Sequence, residues 1–225
     1  MCGKFTQMAE WAEIASWMIG ETASEAAARN PDGGSGGAKD DIVTSTPMRM
    51  ASILRLNAAG AREMTQMRWG FAERGAENPG RPKHMHVRAE TIDQRITFAE
   101  SFAHRRAICF VRTFNEGEEV GKKTVQWTIT PKDAQPIAIA VIYEEWTNAD
   151  QRLLTFVQVT TAANPLISKI TDRMPAILRP EHHALWLGED RAPLQEVKAI
   201  LVPYDDAGNW DMAPEPKKPR PPKPP

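Results

Sequence analysis

Between Thr124 and Thr130 the chain alternates without a break: Val125, Trp127 and Ile129 fall on one side, Thr124, Gln126, Thr128 and Thr130 on the other. A period of two marks a strand with one buried and one wet face, so this segment commits the chain to a sheet. Further strands are predicted over 108–113, 137–143, 153–161 and 199–202, where β-branched and aromatic residues collect between turn formers. Short helices are predicted over 181–187 and 194–198, with Pro180 and Pro193 at their starts. Met8, Trp11, Ala15 and Met18 recur at helical spacing and predict an amphipathic helix that ends near Gly20. Strands and helices do not alternate strictly, as a doubly wound parallel sheet requires. The expected architecture is a mixed α+β domain built on antiparallel strands.

The 225 residues, 41% of them hydrophobic, suit one domain of ordinary core size, placed over 1–210. The Gly-rich segment 30–41 reads as a flexible surface loop, and the Pro/Lys-rich segment 211–225 as a disordered tail without enough apolar residues to order it. No apolar run approaches the ~20 residues of a membrane span, and the start lacks the basic and apolar stretches of a secretory signal. The expected location is therefore the cytoplasm. Net charge is −1; residues 214–225 carry +3, which leaves −4 for the rest. Any nucleic-acid site must then be a local basic groove. Two cysteines exclude a disulfide framework, and with five histidines they show no ligand spacing for a metal. Neither metal nor cofactor is expected, and the chain is read as a monomer. Cys109, inside the apolar run 107–111, reads as a small buried hydrophobe.

Cys2 differs from Cys109 because removal of Met1 turns it into a 1,2-aminothiol. Its amine, with a reference pKa of about 7.7–8.0, and its thiol, at about 8.5, are both partly available as nucleophiles near neutral pH. An aldehyde such as the opened sugar of an abasic site can condense with the amine to an imine, and the thiol can then close a thiazolidine. Two nucleophiles on one residue make the adduct durable.

Several separated segments carry a resemblance: Cys2-Gly3-Lys4-Phe5, Met67-Arg68-Trp69-Gly70-Phe71, Arg88-Ala89-Glu90-Thr91, Phe114-Asn115-Glu116, Thr160-Thr161-Ala162-Ala163-Asn164-Pro165 and Asp172-Arg173-Met174-Pro175. In this order they resemble the SOS response-associated peptidase family, whose members act as abasic-site processing proteins, over nearly the whole chain. The resemblance implies a barrel-like, mainly antiparallel sheet flanked by short helices, in a bacterial or phage-derived protein that joins the nucleoid when bound to DNA. It implies a sensor of abasic sites in single-stranded DNA that crosslinks through Cys2. Glu116 is then the acid–base residue, and Lys4, Arg88, Arg173 and Asn164 contact DNA. Trp69 serves as an exposed aromatic for an unpaired base, against the competing reading of a buried core tryptophan.

Two departures matter. The family's histidine before Asp-Arg-Met-Pro is Thr171 here, a catalytic-site candidate that can hydrogen-bond a sugar oxygen but cannot titrate near neutral pH, and His86 occupies the place of the usual asparagine. His86 is the expected replacement imidazole, approaching from the other side of the pocket. Lys4 keeps the charge of the family's arginine but not its bidentate fork. Two other readings stand beside crosslinking. One is an N-terminal-nucleophile cysteine peptidase, chiefly self-processing, in which Cys2 attacks an amide. The other is a single-strand-binding module that has lost its chemistry.

Overall fold

The computed structural model describes residues 2–7, 44–80, 82–205 and 207–215. The helix predicted to end near Gly20, the loop 30–41 and the tail beyond 215 lie outside the described residues. Eleven strands among the described residues join in one sheet. They are β1 (Lys4–Gln7), β2 (Thr44–Ser45), β3 (Met50–Leu56), β4 (Arg62–Trp69), β5 (His86–Arg88), β6 (Arg106–Val120), β7 (Lys123–Pro131), β8 (Ile137–Asn148), β9 (Gln151–Ala162), β10 (Arg173–Pro175) and β11 (Trp210–Pro214). Three α-helices among the described residues accompany them: α1 (Ile96–His104), α2 (His183–Leu187) and α3 (Leu194–Ala199).

The pairings β6–β8, β8–β9, β9–β4, β4–β3 and β3–β6 close a ring. All are antiparallel except β4–β9, and β5 adds a second parallel neighbour to β9. Closure explains why the central strands are buried on both faces. Along β6, Ala107, Cys109 and Val111 belong to one apolar cluster, while Ile108 and Phe110 belong to another. The first cluster draws on every strand of the ring, adds Cys2 and Phe5, and contains no residue of α1, α2 or α3, so it is the ring's interior. The second lies between the ring and the helices, where α1 supplies Phe98 and Phe102, α2 supplies Trp186 and Leu187, and α3 supplies Val197.

The alternating segment becomes β7, which turns back on β6 through Gly121 at φ +63°, with Val120 opposite Lys123. That left-handed position suits glycine in a two-residue hairpin. Two expectations are corrected. Residues 199–202 are not a strand: α3 runs to Ala199, and Val197 and Leu201, four apart, face the same apolar layer, so helical spacing prevails over the β-propensity of Ile200 and Val202. The tail does not begin at 211, because β11 extends to Pro214 and pairs with β7 from Trp210↔Pro131 to Pro214↔Trp127. Trp210 anchors it, stacked at 5.0 Å on Tyr204 and edge-on to Phe114. Among the described residues no helix is long and apolar enough to cross a membrane.

Candidate active site

Strand β1 lies against β6 with Lys4 opposite Asn115 and Phe5 opposite Phe114. Phe5 is fully buried in the ring interior, 5.0 Å from the Trp69 ring, and this anchor fixes the residues before it. Cys2 is thereby held in the interior, wholly buried, with its Sγ donating to the Lys4 carbonyl at 3.4 Å. Two side chains from separate strands flank its backbone. The Glu116 carboxyl, from β6, lies close enough to the Cys2 N–H for that group to favour its charged form. His86, from β5, places Nε2 2.7 Å from the Cys2 carbonyl oxygen. A carbonyl only accepts, so Nε2 carries the proton in this contact.

Burial governs the titration of all three. It lifts the Glu116 carboxyl to about 7, opposed by the positive charge of the chain's N-terminal ammonium and by the Cys2 N–H, and helped by the negative charge of Asp172. It lowers His86 to about 4, so the imidazole is neutral at physiological pH. It pushes the Cys2 thiol up, and the Glu116 charge adds to the effect. Near neutrality the site holds a protonated thiol, a neutral imidazole and a carboxyl poised to exchange a proton. These are the properties of one general acid–base group beside one latent nucleophile.

His86 and Glu116 lie on either side of the Cys2 backbone. Thr171 is half-buried in the turn before β10, where its N–H donates to the Ile167 carbonyl at 3.1 Å. Among the described residues its hydroxyl makes no hydrogen bond to Cys2, Glu116 or His86. Arg88 is exposed at the end of β5. Arg173 forks onto Glu90 at 2.6 and 2.9 Å and also donates to the Thr160 carbonyl. Lys4 is paired with Glu215, just beyond β11, whose carboxylate also accepts from Asn115 Nδ2 at 3.1 Å.

Two expected DNA contacts are corrected. Trp69 is not an exposed platform: it is fully buried, its Nε1 donates to the Met85 carbonyl at 2.9 Å, and it packs edge-on to His86 at 5.8 Å. Its role is to wall the site. Asn164 is buried, with Nδ2 on the Tyr204 carbonyl and Oδ1 on the Leu166 and Ile167 N–H groups. It caps the turn at 167–169 and has no side-chain atom free for a ligand. Gly70, beside Trp69, has φ +125°, and a Cβ there would lie 2.6 Å from Pro82 Cγ, so the close approach of the His86 segment requires glycine.

The sequence reading missed Gln158, Asp172, Glu90 and Glu215. Gln158 left a signal, a polar residue inside the apolar run Phe156-Val157-Gln158-Val159. It is fully buried, and neither its Oε1 nor its Nε2 has a hydrogen-bond partner among the described residues. Glu90 stood within a quoted motif, whereas the pairing of Glu215 with Lys4 joins opposite ends of the chain and left no sequence signal.

A closed, mainly antiparallel ring with Cys2 buried inside it defines a class, and comparison with known proteins agrees. The family model for SOS response associated peptidase (SRAP) matches residues 1–215, and the chain belongs to that family. Among its relatives, the abasic site processing protein YoaM of Bacillus subtilis is 29% identical over 67% of each chain. The abasic site processing protein YedK of Escherichia coli is 31% identical over 54% of each. A similar relative, YoqW, occurs in Bacillus phage SPbeta. A crystal structure of a Bordetella bronchiseptica protein shares the fold with a TM-score of 0.74 at 21% identity, covering 96% of this chain and all of that one. One from Bacteroides thetaiotaomicron shares it with a TM-score of 0.74 at 20% identity, over 95% of this chain and 91% of that one.

Proposed function

We propose that this chain processes abasic sites in single-stranded DNA, capturing the opened sugar covalently through Cys2 once Met1 is removed. The observation that carries this reading is the setting of the buried Cys2: His86 on its carbonyl oxygen at 2.7 Å, and the Glu116 carboxyl near its nitrogen. The names of the relatives, abasic site processing proteins, supply the substrate class.

Loss of Met1 turns the nitrogen near Glu116 into a primary amine. The amine attacks C1′ of the open-chain aldehyde, and the carbonyl oxygen takes a proton to give a carbinolamine. Glu116, its carboxyl raised by burial, removes a proton from nitrogen and returns one to the departing hydroxyl. Water leaves and an imine forms. The Cys2 thiol then adds to the imine carbon, its proton passes to the nitrogen, and a five-membered thiazolidine closes. One aldehyde and one aminothiol give one thiazolidine and one water. Because burial keeps the thiol protonated, sulfur gives up its proton as the C–S bond forms, and the same carboxylate relays that proton to the nitrogen. His86 contributes by position, fixing the carbonyl so that nitrogen and sulfur face the same carbon.

The contact between Glu116 and the Cys2 nitrogen also favours self-processing, since that nitrogen is the leaving group when the Met1–Cys2 peptide bond is cut. The deciding experiment mixes the protein with single-stranded DNA carrying one abasic site, beside the Cys2→Ala variant and an intact strand, on a denaturing gel. A slower band that needs both Cys2 and the abasic site supports the reading. A band of equal strength with Cys2→Ala, or none with the native protein after Met1 is gone, overturns it.

A further inference from the structure

We propose that Gln158 binds the opened sugar, its carboxamide taking the hydroxyl that ring opening frees at C4′. The proposal rests on the reading of Cys2 as the capture residue. The starting observation is the buried carboxamide with no partner for its oxygen or its nitrogen among the described residues. Protein interiors seldom leave both a donor and an acceptor unmade, and a retained orphan of this kind points to a partner that arrives from outside.

The direction of the side chain follows from the sheet. On β9, Val157 and Val159 belong to the layer beneath the helices, whereas Phe156 belongs to the ring interior. Gln158, alternating with the valines, faces the interior. The parallel ladder pairs Gln158 with His86, and Val87 likewise belongs to the outer layer, so His86 and Gln158 emerge side by side on the same face. Adjacent strands lie about 4.8 Å apart. His86 in turn contacts the Cys2 carbonyl oxygen at 2.7 Å, which leaves one imidazole between the orphan carboxamide and the capture residue. Two residues further along the same ladder, Thr160 pairs with exposed Arg88. The ladder therefore runs from a buried neutral amide to a cation at the rim, the order a sugar and its flanking phosphate require.

The chemistry narrows the ligand. The neighbouring imidazole is neutral at physiological pH, and a carboxamide offers one acceptor and two donors without charge. Its natural complement is a hydroxyl, which both gives and takes a hydrogen bond. In the closed abasic sugar O4′ is a ring oxygen that only accepts. When the O4′–C1′ bond breaks, the C1′ hydroxyl gives up its proton as the carbonyl forms and O4′ takes one. The new C4′ hydroxyl can then satisfy both halves of the carboxamide, so Gln158 holds the open form in which C1′ is an aldehyde beside Cys2.

The test uses two strands that cannot crosslink: one with a borohydride-reduced abasic site, which is permanently open, and one with a tetrahydrofuran residue, which is permanently closed. The native protein is expected to bind the open strand about threefold to tenfold more tightly than the closed one, the worth of one added neutral hydrogen bond. Gln158→Met keeps the length and removes the polar atoms. It should level the two affinities, leave closed-strand binding unchanged and melt no lower than the native protein. The proposal is overturned if Gln158→Met keeps the preference, if it loses closed-strand affinity or melts lower, or if the native protein favours both modified strands over an intact one without distinguishing them. If neither strand is favoured over an intact one, the abasic-site reading itself fails, and this proposal with it.

Discussion

At the scale of single residues, the site depends on burial acting in opposite directions on two neighbours. Glu116 has its carboxyl raised from 4.5 to about 7, so the folded protein holds a proton there that the unfolded chain has already lost. Its contribution to stability is present below 4.5 and falls away as pH rises to about 7. His86 is lowered from 6.5 to about 4, so the unfolded chain takes up a proton first and stability is lost as pH falls through that window. Glu116→Gln should therefore gain unfolding free energy over the native protein as pH climbs from 4.5 to about 7, measured by chemical denaturation across that range. The same variant should slow covalent capture about a hundredfold or more in single-turnover gels, the usual worth of a general acid–base group. Returning Thr171 to histidine adds a titratable imidazole next to Asp172, the residue whose charge Glu116 feels. Thr171→His should speed capture or release on an abasic oligonucleotide, and identical rates in both directions would count against any role for this position.

At the scale of elements, the end of β4 and the end of β11 decide what the site can meet. Gly70 closes β4 at φ +125°, where any Cβ strikes Pro82. Gly70→Ala should cost about 1–3 kcal/mol and lower the midpoint of thermal unfolding. β11 delivers Glu215 to Lys4, so the cation nearest Cys2 in sequence is already neutralised by the chain itself. The pair is partly exposed, so Glu215→Gln should change stability by less than about 1 kcal/mol. It should nevertheless tighten low-salt binding of single-stranded DNA, because Lys4 is released for phosphate. Sequence patterning shows these elements unevenly. β7 was legible because its alternation is strict, and β8 and β9 because their apolar runs are long. β4 was hidden because Arg62, Glu63, Met64 and Thr65 are all half-buried, which erases the period of two. The segment 199–202 misled because local β-propensity says nothing about the helix layer it completes. Trp69 and Asn164 were found as notable residues but given the wrong task, since only the packed structure reveals that their polar atoms are already used.

At the scale of the whole molecule, a closed ring holds Cys2 in its interior and leaves Arg88 exposed at its rim. Net charge is only −1, so attraction to DNA must come from that rim and not from a general field. If Lys4, Arg88 and Arg173 each meet a phosphate, binding of a tetrahydrofuran-containing strand should weaken with salt at a logarithmic slope of about −2, and Arg88→Ala should flatten it by about 0.7. Arg173 and Lys4 must exchange carboxylates for phosphates, so Arg88 should carry the largest single share. The position of the covalent bond is open to intact-mass measurement of the purified crosslink, followed by peptide mapping. Capture through Cys2 requires a mass equal to the protein without Met1 plus the strand, less one water, with the strand on Cys2. An adduct on protein that still carries Met1, or a strand mapped to a lysine, would contradict it.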